Sequence, residues 1–211
     1  MDELSAWLER CPLVAILRGV KPEEIEAIGE AIVDEGIAII EVPLNSPRPI
    51  DSIARLVAIY GDRVLVGAGT VMQASQVREV VDVGGKLIVM PHTDGTIVRE
   101  ANRHGLLAIP GFFTVTEAFT NLEAGADALK LFPAEVAGPA ALAAMRAVLP
   151  RETIVMPMGG IDAHALAKWQ QAGARGFGIG SAIYRPGDSA ATVREKARTL
   201  VEATARLAQK R

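Results

Sequence analysis

Cysteine and histidine are scarce in this chain. Cys11 is the only cysteine, and the histidines are His92, His104 and His164. A single cysteine excludes an intramolecular disulfide and fits a reducing cytosol. Cys11 could act as a nucleophile, but no histidine lies near it in the sequence, so we interpret it as a small packed thiol. The three histidines lack the spacing of a metal site, and we predict no bound metal.

Long basic runs and long apolar segments are also missing. The chain has 22 lysine and arginine residues against 25 acidic ones, a formal net charge of −3, which gives no indication of a nucleic-acid partner. No apolar stretch is long enough to span a bilayer, and residues 1–10 lack the basic-then-apolar layout of a signal peptide. Half of the residues are hydrophobic. We therefore expect a soluble cytoplasmic protein with no membrane partner and a single domain over residues 1–211.

What the chain does contain is a pattern that repeats roughly every two dozen residues. In each repeat an apolar, β-branched run ends in a polar residue, proline or glycine, and an amphipathic helical pattern follows. Continuous apolar runs suit strands that are covered on both faces, as in parallel sheets. The predicted strands are residues 14–18, 39–44, 64–70, 87–91, 107–110, 128–132, 154–158 and 176–181. The predicted helices are residues 22–35, 49–60, 74–83, 96–104, 116–124, 139–149, 163–172 and 190–208.

The number of repeats indicates the fold. Eight strands, each followed by a helix, are typical of the (β/α)8 barrel, the TIM-barrel architecture. We therefore predict a compact closed barrel of the α/β class, with residues 1–10 forming a short helix that caps the domain. The alternative is a doubly wound open sheet. It is less favoured because no Gly-x-Gly-x-x-Gly fingerprint follows the first strand.

In such a barrel the active site lies at the carboxyl ends of the strands. The residues that close the predicted strands are therefore the candidates for a functional site. They are Arg18, Glu41 with Asn45, Thr70, Pro91 with His92, Pro110 with Gly111, Lys130, Gly159–Gly160 and Gly180–Ser181.

Lys130 is the strongest chemical candidate because it interrupts an apolar run. Burial and nearby cations lower the pKa of a lysine, and the neutral amine can attack a carbonyl carbon. Arg18 could hold a substrate carboxylate and also disfavour protonation of a neighbouring amine. Glu41 lies in another apolar run, so we expect a raised pKa and a role in proton transfer. The alternatives are a Lys130 that reaches solvent at a strand edge, and structural ion pairs of Glu41 with Arg18 or Lys130.

Glycine-rich turns follow the last two predicted strands. Gly159–Gly160 and Gly180–Ser181 occupy the usual phosphate site of this barrel. Thr70 follows two closely spaced glycines and could donate a hydrogen bond to a substrate oxygen. The alternative for these glycines is turn geometry and packing. A phosphate at one end and a carboxylate at the other would define a phosphorylated sugar acid.

Five short blocks resemble the class I, Schiff-base aldolases that cleave 2-keto-3-deoxy-6-phosphosugar acids. They occur in the order of that family and extend over nearly the whole chain. The blocks are VAILRG at 14–19, EVPLNSP at 41–47, VGAGTV at 66–71, LKLFP at 129–133 and GGI at 159–161.

The resemblance implies a mechanism and a set of site residues. Lys130 would form a Schiff base with the C2 ketone, and Glu41, through a water, would remove the proton of the C4 hydroxyl. Arg18 and Thr70 would hold the carboxylate. The products would be pyruvate and glyceraldehyde 3-phosphate, with no cofactor and no metal, and the assembly would be a homotrimer. The implied substrate-binding residues are Arg18, Thr70, Pro91, Met158, Gly159, Gly160, Gly180 and Ser181.

The family has two close branches that act on C4 epimers, 2-dehydro-3-deoxy-6-phosphogalactonate and 2-dehydro-3-deoxy-6-phosphogluconate. The block at 41–47 resembles the galactonate branch, and Met158 stands where the gluconate branch has a threonine that addresses the C4 hydroxyl. An apolar side chain cannot donate that hydrogen bond, so it should relax or invert the preference at C4. The segment at 132–135 resembles the gluconate branch. We expect the galactonate epimer as substrate, with the gluconate epimer or both as the alternative.

Two functions of other classes remain open. A barrel isomerase or synthase would share the phosphate turns but would not need Lys130. A non-catalytic module would bind phosphosugars without turnover. Trapping of pyruvate with borohydride separates the first from the aldolase, and an assay for released pyruvate separates the second.

Overall fold

Strands and helices alternate along the chain in the computed structural model, which describes residues 3–208. Within these residues the strands are β1 (Leu13–Ile16), β2 (Ile39–Pro43), β3 (Leu65–Gly69), β4 (Leu87–Val89), β5 (Leu107–Ile109), β6 (Gly111–Phe112), β7 (Leu129–Leu131), β8 (Val155–Pro157) and β9 (Phe177–Ile179). The helices are α1 (Glu3–Arg10), α2 (Ile25–Val33), α3 (Pro49–Tyr60), α4 (Ala74–Asp82), α5 (Gly95–Arg103), α6 (Val115–Glu123), α7 (Ala134–Arg146), α8 (Leu166–Gln171) and α9 (Ala190–Ala208), with a 3₁₀ turn at Gly61–Arg63.

The strands form two parallel sheets. One has six strands in the order β5-β4-β3-β2-β1-β9, and the other has three in the order β6-β7-β8. Within residues 3–208, the edge strands β8 and β9 are joined by an isolated bridge between Met158 and Gly178. The prediction of a closed eight-stranded (β/α)8 barrel is therefore wrong, and the protein has a curled, open α/β fold.

The two sheets are separated between β5 and β6 and between β8 and β9. Pro110 gives the physical reason for the first of these separations. The fifth predicted strand, residues 107–110, ends in a proline, which has no amide hydrogen to donate to a neighbouring strand. The chain leaves the first sheet after Ile109 and starts the second sheet at Gly111. The carbonyl of Pro110 still accepts a hydrogen bond from the Lys130 amide at 2.9 Å, so the start of the second sheet stays next to the end of the first.

Alternate strand residues contribute to two separate apolar clusters. Val14 and Ile16 belong to an inner cluster enclosed by the curled strands, whereas Leu13 and Ala15 belong to an outer cluster between strands and helices. Both faces of each strand are thus covered, which explains the continuous apolar runs. Helix α1 packs Leu4 against the inner cluster. The first two residues of the predicted helix 1–10 lie outside the described residues.

Several helices differ from their predicted bounds, and two of the differences have a clear local cause. We predicted residues 139–149, whereas α7 starts at Ala134 and contains Gly138 with a non-helical φ of 75°. The glycine allows a short helical turn to join the main helix through a kink. We predicted residues 163–172, whereas α8 covers Leu166–Gln171, because Asp162 accepts hydrogen bonds from the amides of residues 164 and 165 in a turn that precedes it.

None of the helices in the described part of the chain combines the length and apolar character of a bilayer span. The cytoplasmic location stays a prediction.

Candidate active site

Lys130 lies in the middle of β7, between Gly111 of β6 and Met156 of β8. It is 4% exposed, and its side-chain nitrogen is 5.0 Å from the centroid of the Phe132 ring. Burial lowers the pKa of Lys130, the charge of Glu41 acts in the opposite direction, and the charge of Arg18 lowers the pKa further. A larger fraction of this amine is therefore neutral than in a surface lysine, as a carbonyl nucleophile requires.

Glu41 is buried in β2, where it pairs with Ile16 of β1 and Gly67 of β3. Burial raises the pKa of Glu41, and the positive charges of Lys130 and Arg18 partly offset this effect. Its Oε2 atom is buried without a hydrogen-bond partner. A carboxyl group with a raised pKa and a free oxygen is suited to both accepting and donating a proton.

Gly69 makes room for that carboxylate. A Cβ atom at Gly69 would lie 1.2 Å from Oε2 of Glu41, so a side chain at this position would displace the carboxylate. Strands β2 and β3 are neighbours that pair from Ile39 to Pro43 of β2. The glycine that ends β3 is therefore needed for the position of Glu41 on β2.

Arg18 follows β1 and is held by two side chains from neighbouring strand ends. Its Nη1 donates to Oδ1 of Asn45 at 2.6 Å, and its Nη2 donates to Oγ1 of Thr70 at 3.3 Å. Thr70 has a positive φ of 55°, which is rare for threonine. The ion pairs of residues 3–208 do not include one between Glu41 and either cation. The guanidinium is exposed and keeps donors for a ligand carboxylate.

A cavity of about 410 Å³ opens at the carboxyl ends of the strands, and we call it the strand-end cavity. Seven of the ten predicted site residues line it: Arg18, Lys130, Met158, Gly159, Gly160, Gly180 and Ser181. Glu41 and Thr70 do not line it, but Glu41 interacts electrostatically with Lys130, and Thr70 accepts a hydrogen bond from Arg18. Pro91 is half-buried at the end of β4 and packs behind Gly111, and it does not line the cavity.

The glycine turns form one wall of the strand-end cavity. Gly159 and Gly160 have φ values of 100° and 68°, a conformation that other residues rarely adopt. After β9, the carbonyl of Gly180 accepts hydrogen bonds from the amides of Ile183 and Tyr184, which makes a tight turn. The turn after β8 leads into residues 162–165, where Asp162 accepts hydrogen bonds from two backbone amides, and not directly into α8. Anion binding at this turn would therefore depend on loop amides and not on the start of a helix.

Comparison with known proteins identifies the family of the chain. A family model described as "Aldolase: KDPG and KHG aldolase" matches residues 4–192. The chain belongs to this family. It is 44% identical to the 2-dehydro-3-deoxy-6-phosphogalactonate aldolase of Escherichia coli (strain K12), over 93% of this chain and 96% of that protein. A probable 2-dehydro-3-deoxy-6-phosphogalactonate aldolase of Rhizobium meliloti (strain 1021) is 45% identical over 93% of both chains.

A solved structure described as "Native KDPGal structure" superposes with a TM-score of 0.93 at 43% identity, and covers 95% of this chain and 97% of that one. The resemblance to the phosphosugar-acid aldolases is confirmed. In this KDPG and KHG aldolase family member, the open arrangement of the two sheets is therefore combined with a cavity at the strand ends.

Sequence reasoning missed two polar residues that line the strand-end cavity. Tyr184 and Arg185 line the strand-end cavity, and Arg185 adds a cation beside Ser181, whose carbonyl accepts a hydrogen bond from Arg185 Nε at 3.3 Å. Both residues lie in the loop after β9, a few positions beyond the predicted strand end. The signal was the arginine itself, which follows a glycine-rich turn by a few residues.

The remaining sequence candidates lie elsewhere. Cys11 is buried between α1 and β1, and burial raises the pKa of its thiol, which favours the packed-thiol interpretation. His92 is half-buried after β4, with an Nδ1 atom that has no hydrogen-bond partner. In residues 3–208 no three His, Cys, Asp or Glu side chains are grouped as a metal site would need. The absence of a metal stays a prediction.

Proposed function

We propose that this protein cleaves 2-dehydro-3-deoxy-6-phosphogalactonate to pyruvate and glyceraldehyde 3-phosphate through a Schiff base on Lys130. The observation that carries the proposal is a buried lysine with a lowered pKa, electrostatically coupled to a buried carboxylate and an arginine at the rim of one cavity. The names of the relatives support the same reaction.

The first half of the mechanism forms the covalent bond. The neutral amine of Lys130 attacks the C2 carbonyl carbon and gives a carbinolamine, which loses water to form an iminium ion. Glu41 supplies the proton that the departing hydroxyl needs and is left as a carboxylate. The iminium nitrogen is then the electron sink for the next step.

The second half breaks the C3–C4 bond. Glu41, through a water, removes the C4 hydroxyl proton, and C4 becomes the aldehyde carbon of glyceraldehyde 3-phosphate. The electron pair of the broken bond passes to C3 and the iminium nitrogen as an enamine. Protonation at C3 and addition of water at C2 then release pyruvate and restore Lys130. No net oxidation or reduction occurs.

The two ends of the cavity suit the two charged ends of this substrate. Arg18, oriented by Asn45 and Thr70, offers guanidinium donors to the carboxylate. Gly160, Gly180 and Ser181 offer backbone amides and a hydroxyl to the phosphate, with Arg185 beside them.

The choice of epimer depends on Met158. This side chain is 1% exposed and lines the strand-end cavity. Its thioether cannot donate a hydrogen bond to a C4 hydroxyl, so it gives no advantage to the gluconate configuration. The alternative substrate is 2-dehydro-3-deoxy-6-phosphogluconate, which the sequence at 132–135 favours.

Three measurements test the proposal. Borohydride with pyruvate should add a reduced pyruvyl group to Lys130, found by peptide mass. Lys130→Met should abolish cleavage, whereas Lys168→Met, an exposed lysine of α8, should retain it. A lactate-dehydrogenase assay for released pyruvate, run with both C4 epimers, should give the higher kcat/KM for the galactonate epimer. An unmodified Lys130 would exclude the covalent mechanism, and binding without pyruvate release would favour a non-catalytic module.

We also propose a homotrimer, which the resemblance implies. Exposed apolar side chains occur after three strands, at Met72, Phe113 and Val136, with exposed fractions of 56%, 41% and 70%. In a trimer, such side chains would be covered by neighbouring copies of the chain. Light scattering coupled to size-exclusion chromatography should give three times the chain mass, and a monomer mass would exclude the trimer.

A further inference from the structure

Two loops meet at one edge of the strand-end cavity. The first-strand loop (residues 17–24) follows β1 and carries Arg18, and the last-strand loop (residues 180–189) follows β9, the neighbour of β1 in the sheet. Gly19 has a φ of 82°, and a Cβ atom there would lie 2.7 Å from Cγ of Pro186. The ring of Pro186 on the last-strand loop therefore packs so closely on the backbone of the first-strand loop that glycine is required at position 19.

Tyr184 connects the two loops through one hydrogen bond. It is 2% exposed, lines the cavity, and its hydroxyl donates to Oε1 of Glu24. The same carboxylate oxygen accepts the Lys21 amide at 3.2 Å, so Glu24 also fixes the backbone of its own loop. Burial and the Glu24 carboxylate raise the pKa of Tyr184, and the phenol therefore remains a protonated donor.

Each loop carries the group that would bind one end of the substrate. Arg18 on the first-strand loop faces the carboxylate end, and Ser181 with Arg185 on the last-strand loop faces the phosphate end. A ligand that spans both ends depends on the distance between the loops, whereas a small keto acid depends on the first loop alone.

We propose that Tyr184 and Glu24 are positioning residues that set the separation between the carboxylate and phosphate ends of the cavity. The pair selects for ligands of the length of a six-carbon phosphorylated sugar acid. The inference rests on the proposed function, because it takes the two ends of the cavity as sites for those two groups.

The test compares a long substrate with a short one. Tyr184→Phe removes the hydroxyl and keeps the ring, and Tyr60→Phe in α3, outside the cavity, is the matched control. We expect Tyr184→Phe to raise KM for the phosphorylated substrate about 10- to 100-fold, in line with the loss of one hydrogen bond to a charged group. The concentration of pyruvate that gives half-maximal borohydride trapping at Lys130 should stay within about twofold, because pyruvate does not reach the last-strand loop.

Variants at Glu24 remove the same hydrogen bond from its other side, so the test does not depend on Tyr184→Phe alone. Glu24→Ala should reproduce the KM increase, and combining it with Tyr184→Phe should add little, because both remove the same contact. Glu24→Gln keeps an acceptor for the phenol and should bring KM back to within about threefold of the unaltered protein.

Two results would overturn the inference. One is an unchanged KM in both Tyr184→Phe and Glu24→Ala. The other is an equal weakening of pyruvate trapping and of substrate cleavage, which would indicate a general structural role. If the unaltered protein cleaves neither epimer, the proposed function fails instead, so the two failures are distinguishable.

Discussion

Replacing Gly69 by alanine should remove most of the catalytic activity, although no ionisable residue is substituted. The alanine Cβ would lie 1.2 Å from Oε2 of Glu41 and 2.4 Å from its Cδ. The van der Waals contact distance between such atoms is about 3.5 Å, so the carboxylate must move by roughly 2 Å. A displacement of that size removes a general acid–base group from its working position, and we expect kcat to fall roughly 100- to 1,000-fold.

The same substitution should leave the nucleophile functional. Glu41 opposes the lowering of the Lys130 pKa, so displacing the carboxylate should lower that pKa further and leave more neutral amine. After long incubation with pyruvate and borohydride, Gly69→Ala should therefore be labelled at Lys130 as completely as the unaltered protein. The predicted combination is a large loss of kcat with retained labelling.

The assay needs a glycine control and a direct comparison. Gly95→Ala, at the start of α5, meets the end of the flexible Arg99 side chain at 3.0 Å and Cβ of Ala124 at 3.2 Å. Neither residue lines the strand-end cavity, so this variant should leave both kcat and labelling unchanged. Glu41→Gln should show a loss of kcat similar to that of Gly69→Ala. Gly69→Ala with kcat within about threefold of the unaltered protein would refute the argument that this glycine positions Glu41.

Three further predictions concern the charged and apolar groups of the site. Arg18→Gln should raise the pKa of Lys130, because it removes a nearby positive charge, and the pH at which pyruvate trapping is half-maximal should rise. Met158→Thr should shift the kcat/KM ratio of the two epimers about tenfold toward the gluconate epimer, measured by pyruvate release; an unchanged ratio would remove Met158 from the specificity argument. Lys130→Met combined with Glu41→Met should raise the free energy of urea unfolding at pH 7 by about 1–4 kcal/mol, because both charged groups are desolvated in the folded state and are replaced by apolar ones. The Glu41 contribution to this gain should be absent below its ordinary pKa of 4.5 and appear as pH rises, since its folded-state pKa is raised.

The order of strands and helices could be predicted because each strand is covered on both faces and each helix has one apolar face. Closure of the sheet could not, because it depends on single backbone positions. Pro110 ends one ladder by lacking an amide hydrogen, and β8 meets β9 at one bridge beside Gly178. A continuous apolar run in the sequence does not distinguish a strand paired on both edges from one paired on a single edge.

Residues of the strand-end cavity could be predicted where they lie within or directly after a strand, as with Lys130 and Arg18. They were missed where they lie several positions into a loop. Tyr184 and Glu24 are 160 positions apart, and their contact depends on β1 and β9 being neighbours. No local pattern encodes such a contact, since it arises only when the sheet brings two loops together.

Desolvation is the largest cause of the pKa shifts of Lys130 and Glu41. That desolvation outweighs the attraction between the two groups matters for the chemistry. If attraction between Lys130 and Glu41 outweighed burial, the lysine would stay charged and the glutamate ionised, and the amine could not attack a ketone. Burial therefore has to be maintained from the opposite end of the strands as well. There the inner cluster is covered by α1, whose Leu4 is 1% exposed. Loosening α1 would admit water to the interior of the curled sheet, and the reactivity of an amine on β7 thus depends on a helix that contributes no residue to the strand-end cavity.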